Sequence, residues 1–204
     1  MKFLTEIQYF PSVIFYKNSY GCTNIIFDQY EAYQKMSFRN RCIIAGANGA
    51  IHLSVPLQNG RNQKTMMKDV RISGAGKWQN DHWKSIVSCY NKSPWFEFYK
   101  DELQQLYEKH FEFLLDWDLA CFEWSIQKLG LPVELSAAEK SIQEQGSDVL
   151  DFRDKILPKN YKDFAAAPYH QVFESKTGFM PNLSILDLLF CEGKRAKEML
   201  VSQK

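Results

Sequence analysis

KFLTEIQYFPSVIFYKNSYGCTNIIFD, residues 2–28, decides the fold. Lys2 to Ile7 has strand character, Pro11 turns the chain, and Ser12 stands where a helix N-cap belongs. SVIFYKNSY then reads as one short helix stopped at Gly21, and TNIIFD as a buried strand ending at Asp28. Strand, helix and strand in that order make a parallel βαβ unit. Ligands of open α/β sheets collect outside the carboxyl ends of the strands. Position alone therefore nominates Gln8, Tyr9 and Asp28 as site residues.

Downstream, RCIIAG, AIHLSVPL and DVRIS are short β-like runs, and Asn48–Gly49 between the first two is a tight-hairpin signal. Residues 41–73 thus read as an antiparallel extension of the sheet, with NGRNQ as an exposed loop. After Gly76 the period becomes helical. In KWQNDHWKSIVSCYNKS, Trp78, Trp83, Ile86, Val87 and Tyr90 form one apolar face that ends before Pro94. DELQQLYEKHFEFLL and DLACFEWSIQKLG predict two further helices, broken near Asp116 and closed by Gly130. A returning strand is expected at 133–135 and a helix over 146–155. Loop follows over 158–182, where Pro158, Pro168, Gly178 and Pro181 fall, and then a terminal helix in LSILDLLFCEGKRAKEMLV. With no repeat, low-complexity tract or charge block, the expectation is one α/β domain over 1–204. Its N-terminal βαβ unit lies in a mixed sheet with an antiparallel extension, sheet-rich over 1–75 and mainly helical over 76–204.

Composition sets limits on chemistry. Lys and Arg number 25 against 24 Asp and Glu, so the whole-chain field does not draw nucleic acid or an anionic membrane, and any anion site must be local. Cys22, Cys42, Cys89, Cys121 and Cys191 lack paired spacing, and their odd number fits a reducing compartment. The opening residues are interrupted by Thr5, Glu6 and Gln8 and carry no cleavage signal, and no apolar run reaches the roughly 18 residues of a membrane span. The cytoplasm is the expected location. Neither His-x-x-x-His nor paired Cys appears, the G-x-S-x-G elbow is missing, and AGANGA has no dinucleotide or Walker spacing. No metal and no cofactor are therefore expected.

The sharpest local feature is QKMSFRNR, residues 34–41, where Lys35, Arg39 and Arg41 put three cations within seven residues and Asn40 adds an amide. Guanidinium forks bind phosphate or carboxylate bidentately, so a segment like this beside strand ends suits the phosphates of a nucleotide or sugar nucleotide. A solvated basic edge has the same appearance. Asp28 suits a general base, although pattern favours it as a turn cap, with Tyr9 packed over the sheet edge. His82 lies four residues after Trp78, so the two rings share a helix face and can stack a sugar or base while the imidazole moves a proton. A histidine so placed more often sits at a helix–loop interface.

Three groups of segments resemble the WbqC-like family: IQYFPSVIFYKNSYG with NIIFDQYEAYQKMSFRNR; LSVPL, DVRI and WQNDHWKSIVSCYNKSPWFEFY; and YHQVFESKTGFMPNLSILDLLFCEG. In the last, Tyr169, Gln171, Phe173, Gly178, Phe179, Pro181, Asn182, Leu183, Ser184 and Asp187 fall in the family's order. The opening loop departs from it, since Ile7 stands where members often carry His or Ser before Gln. The resemblance implies bacterial surface-polysaccharide biosynthesis of the O-antigen type, with a transferase acting on a nucleotide-linked amino sugar. It nominates Gln8, Tyr9, Asp28, Lys35, Arg39, Asn40 and Arg41, joined by His82 and by Tyr169, Gln171 and Asn182 of the C-terminal motif. The motif's helix also has a plain structural account, with Asn182 or Ser184 as cap and Asp187 near the positive helix start. Two alternatives stand beside the transferase: a noncatalytic protein that binds sugar intermediates or assembles the pathway, and a nucleotidyltransferase. A small-molecule substrate is expected, with a second copy or a pathway enzyme as partner.

Overall fold

The structure, a computed structural model, describes residues 1–74, 76–139 and 148–201. Its main sheet holds β1 (Lys2–Thr5), β2 (Asn24–Phe27), β5 (Glu134–Ala137) and β6 (Val149–Asp151) in the order β5-β2-β1-β6, all parallel. Helix α1 (Val13–Ser19) makes the β1-to-β2 crossover, as the opening stretch predicts. Ser12 holds the N-cap position but its hydroxyl makes no cap bond, and Gly21 ends the turn at φ +83°. Phe3 and Leu4 point to opposite faces of β1 and are both fully buried, so the central strand is covered on both sides. On one face, α4 (Leu114–Leu129) delivers Phe122 against Phe15, Tyr16 and Phe27 at ring centroid distances of 5.6, 5.5 and 5.1 Å.

The antiparallel pair forms as β3 (Arg41–Gly46) and β4 (Gly49–Ser54), but as a separate two-stranded sheet rather than an extension of the first. Gly46 pairs with Gly49, so Ala47 and Asn48 are the turn's central residues, one position earlier than the Asn-Gly signal indicated, and only Gly49 takes positive φ. DVRI forms no strand. Leu57–Ile72 and Arg71–Phe113 are isolated bridges beside a 3-10 turn at Met67–Asp69.

Helix α2 (Trp78–Tyr90) stops before Pro94 as expected, whereas α3 (Phe96–Glu108) starts five residues earlier than Asp101. The break before α4 falls at 109–113 rather than at Asp116, and Gly130 closes α4 in the left-handed conformation at φ +60°. The helix expected over 146–155 is corrected to β6 over Val149–Asp151; residues 146 and 147 lie outside the described residues. After a four-residue α5 (Glu174–Thr177), the terminal helix divides into α6 (Ile185–Glu192) and α7 (Ala196–Val201) at Gly193, whose φ is +54° and whose α-carbon faces the Trp95 ring. Seven of the eight α6 residues are buried, as befits a helix packed on β3, α3, α4 and α7 at once. Among the described residues no helix is long and apolar enough to cross a membrane.

Candidate functional site

Chain order in the parallel sheet is third, second, first, fourth: β2 and then β5 are added on one side of β1, and the chain next places β6 on the other side, so strand order switches at β1. A crevice at such a switch point is where α/β sheets bind ligands. Register brings the strand ends level, with Leu4 opposite Asp151 and Thr5 opposite Phe27. Glu6 and Gln8 therefore follow β1, Asp28 follows β2, and Arg153 and Asp154 follow β6, all on one edge.

These side chains are bonded into one network. Glu6, fully buried, accepts the Asp154 backbone N–H on Oε2 at 2.9 Å and the Gln8 amide on Oε1 at 2.6 Å. Arg39 is also fully buried. Its Nε donates to Glu31 Oε1 at 2.8 Å and its Nη1 to Asp154 Oδ1 at 2.9 Å, with Nη2 2.6 Å from the same Glu31 oxygen. Asp28 accepts Arg153 Nη1 at 2.6 Å and its own turn's Tyr30 N–H at 3.1 Å, and Arg153 also grips Asp151. Asp154 sits at φ +57°, a costly conformation for a non-glycine residue, where Glu6, Arg39 and the Gln34 amide all hold it.

The electrostatics follow from burial. Desolvation pushes the Glu31 carboxyl up to about 7, against the pull of Arg39, and raises that of Glu6 as well. Glu31 keeps 12% of its side chain exposed, so this carboxyl can exchange protons with solvent near neutral pH. For Arg39, burial works against the charge, and Glu31, Glu6 and Asp154 together outweigh it. Asp118, from α4, is fully buried, with neither carboxyl oxygen hydrogen-bonded among the described residues; burial drives its pKa well up, with Arg39 opposing. Among the described residues no three His, Cys, Asp or Glu side chains form a metal-binding group.

Of the residues nominated from sequence, Gln8, Asp28 and Arg39 meet at this edge. Arg39 does so as the hub of an ion-paired cluster with no surface exposed, which corrects the picture of it as an open phosphate clamp. Asn40 is a brace, accepting Tyr33 OH at 3.0 Å and donating to the Val55 carbonyl at 2.9 Å. Arg41, half-buried at the start of β3, has an Nε with no hydrogen-bond partner among the described residues. Lys35 is exposed and donates to Asn62 Oδ1 at 3.2 Å, at the rim of a groove of about 470 Å³.

Tyr9 and His82 lie in the core instead. Tyr9 OH stands 3.1 Å from His82 Nδ1 and makes a short hydrogen bond with Tyr107 OH. His82 also bonds the Ser54 carbonyl, which can only accept, so we assign the ring proton to Nε2 and let Tyr9 donate to Nδ1. Burial lowers the His82 pKa to about 4, which keeps it neutral and corrects the expectation of a proton carrier near neutrality. Trp78 packs edge-on to His82 and Trp117 and lines a separate groove of about 320 Å³ between α2 and α3. Tyr169 and Gln171 belong to a third place, where both bond Asp187 Oδ2, at 2.6 and 2.8 Å. Asn182, at φ +54°, donates to the Tyr161 and Phe164 carbonyls, and Ser184 rather than Asn182 caps α6.

Sequence reasoning passed over Glu6, Glu31, Arg153 and Asp154. Glu6 was visible as an acid directly after a buried strand, and Glu31 as an acid three residues beyond Asp28. Arg153 and Asp154 were hidden by the helical reading of 146–155.

Compared with known proteins, the chain matches the WbqC-like protein family over residues 7–157, which takes in the carboxyl-edge cluster apart from Glu6 and leaves out the segment around Tyr169–Asp187. No curated protein and no solved structure matches it. With 7–157 of 204 residues matched, the chain belongs to the WbqC-like protein family.

Proposed function

We propose that this protein is a transferase of bacterial surface-polysaccharide biosynthesis that moves an acyl group onto the amine of a nucleotide-linked amino sugar. The observation that carries the reading is Glu31: a carboxyl at the crevice edge, slightly exposed, with a pKa near 7. A general base works best when its pKa lies near the operating pH. As the sugar nitrogen bonds to the acyl carbon, the Glu31 carboxylate accepts the proton that the nitrogen sheds, and the acyl carrier departs with the electron pair of the broken bond. Arg39 aims Glu31 through two nitrogens on one oxygen, and Asp154 and Glu6 hold Arg39 in turn. Asp28 positions Arg153 rather than acting as the base.

The test is turnover with a panel of nucleotide-linked amino sugars and acyl donors, read by mass spectrometry. Glu31→Gln should lower kcat by about 10²–10⁴ while the melting curve stays cooperative. Undiminished turnover in that variant removes Glu31 as the base. The noncatalytic alternative has one observation in its favour: Asp28, Arg39, Asp151 and Arg153 are all engaged in ion pairs. It requires full pathway function from Glu31→Gln in cells.

A further inference from the structure

With Arg39 enclosed by carboxylates, the phosphates of a nucleotide-linked substrate need other cations. We infer that the groove between residues 33–35 and 61–64 is a diphosphate-binding site, with Arg61, Lys64 and Lys35 as its anion ligands. The reading deepens the proposed function and rests on it for the identity of the substrate, though not for the binding itself.

The groove is built by the backbone. Tyr33 N–H donates to the Thr65 carbonyl at 2.8 Å, Met67 N–H to Glu31 at 2.9 Å and Lys68 N–H to Gln29 at 3.1 Å. These bonds zip the segment after β2 onto Thr65 and the start of the 3-10 turn, so the loops on either side face each other across a fixed gap. The gap measures about 470 Å³, within the range of small-molecule sites.

Its lining is one-sided in charge. Lys35, Arg61 and Lys64 line it, and among the described residues no carboxylate does. Among the described residues none of the three is in an ion pair, whereas Arg39, Arg71, Arg153 and Arg195 each have a carboxylate partner. Tyr33 lines the groove and turns its hydroxyl inward, where it donates to Asn40 Oδ1 at 3.0 Å, so the wall on that side is fixed. Arg61 supplies a fork that fits two phosphate oxygens, the lysines supply point charges, and Asn62 Oδ1 steers Lys35.

The groove also touches the proposed catalytic edge. Gln34 lines it, and the Gln34 side-chain amide donates at 2.8 Å to Asp154, whose other oxygen holds Arg39. A diphosphate in the groove thus lies one side chain away from the Arg39–Glu31 cluster.

The test is calorimetry with inorganic pyrophosphate and with UDP, at low and high salt. Saturable one-to-one pyrophosphate binding should weaken at least about tenfold in Arg61→Ala/Lys64→Ala and in high salt, and stay unchanged in the remote surface variant Lys92→Ala. Tighter binding of UDP than of pyrophosphate identifies a nucleoside diphosphate as the ligand; equal binding identifies the diphosphate alone. Retained affinity in the double variant, or equal loss in Lys92→Ala, overturns the site. Melting curves guard against misfolding, and Arg61→Lys, which keeps the charge but not the fork, should fall between wild type and Arg61→Ala. Binding intact in Glu31→Gln with turnover also intact sinks the catalytic role and leaves the groove standing. Turnover lost in Glu31→Gln with no pyrophosphate binding in wild type does the reverse.

Discussion

Glu6 accepts the backbone N–H of Asp154 at 2.9 Å, and that one bond joins the carboxyl ends of β1 and β6, where strand order switches sides. It fixes the loop after β6 beneath Arg39, and through Arg39 it fixes Glu31. The geometry of the proposed base is thus set by a bond between residues 148 apart in sequence.

Arg39 is the element whose loss should cost most. Removing one partner of a buried ion pair strands the others and costs roughly 3–5 kcal/mol. Arg39→Ala leaves Glu31, Glu6 and Asp154 facing one another without a cation, so urea unfolding should show a loss of that order. Arg39→Met combined with Glu31→Leu should lose less than Arg39→Ala alone, because the stranded charges are fewer. A double variant less stable than the single one contradicts the assignment of Arg39 as hub.

Glu31 gives the fold a pH dependence with a definite sign. Its folded pKa of about 7 lies above the ordinary 4.5, so the folded form holds the proton more tightly than the unfolded chain does. The stabilisation from this group is complete below pH about 4.5 and is lost as pH rises through about 7, by roughly 3 kcal/mol at most. Denaturation midpoints measured across that window should fall in wild type and stay flatter in Glu31→Gln.

How much of this could be read beforehand depended on range. The βαβ opening was legible because its signals are local: an apolar run, a proline turn, a glycine stop and a second apolar run. β6 was not, since a three-residue strand carries no period and exists only because β1 offers it an unpaired edge. The same limit applied to the site. QKMSFRNR announced its cations but not that Arg39 would turn inward, because the carboxylates that hold it come from Glu31 and Asp154, the latter 115 residues away. Tyr9, in a bend, and Asn40, in a turn, are adjacent to site residues in sequence but point elsewhere, each held by its own partners: Tyr9 by His82 and Tyr107, Asn40 by Tyr33 and the Val55 carbonyl.

His82 acts on the acid side. Its pKa of about 4, below the ordinary 6.5, means that the unfolded chain binds the proton more readily. The stability it contributes is present above pH 6.5 and is lost as pH falls toward about 4. In two-dimensional NMR its ring should remain neutral, with the proton on Nε2, to well below pH 6. A ring that titrates near 6.5 removes the Tyr107–Tyr9–His82 chain from the core as described.

Asp187 tests whether the C-terminal motif is architecture or chemistry. Its Oδ1 accepts Tyr90 OH at 2.7 Å, and its Oδ2 accepts Tyr169 OH at 2.6 Å and the Gln171 amide at 2.8 Å. Tyr90 in turn accepts the Ala45 N–H at 3.0 Å, so one carboxylate ties α2, α6, β3 and the segment around Tyr169 together. Each buried polar group left without a partner costs about 1–3 kcal/mol. Asp187→Ala strands two hydroxyls and an amide, and should destabilise by at least about 3 kcal/mol, with faster proteolysis between residues 165 and 180. Asp187→Asn keeps one acceptor and should lose about half as much. Because the carboxylate touches neither the groove nor Glu31, pyrophosphate affinity in Asp187→Asn should match wild type below the melting transition. A change in affinity there without a change in stability assigns the motif to ligand binding instead.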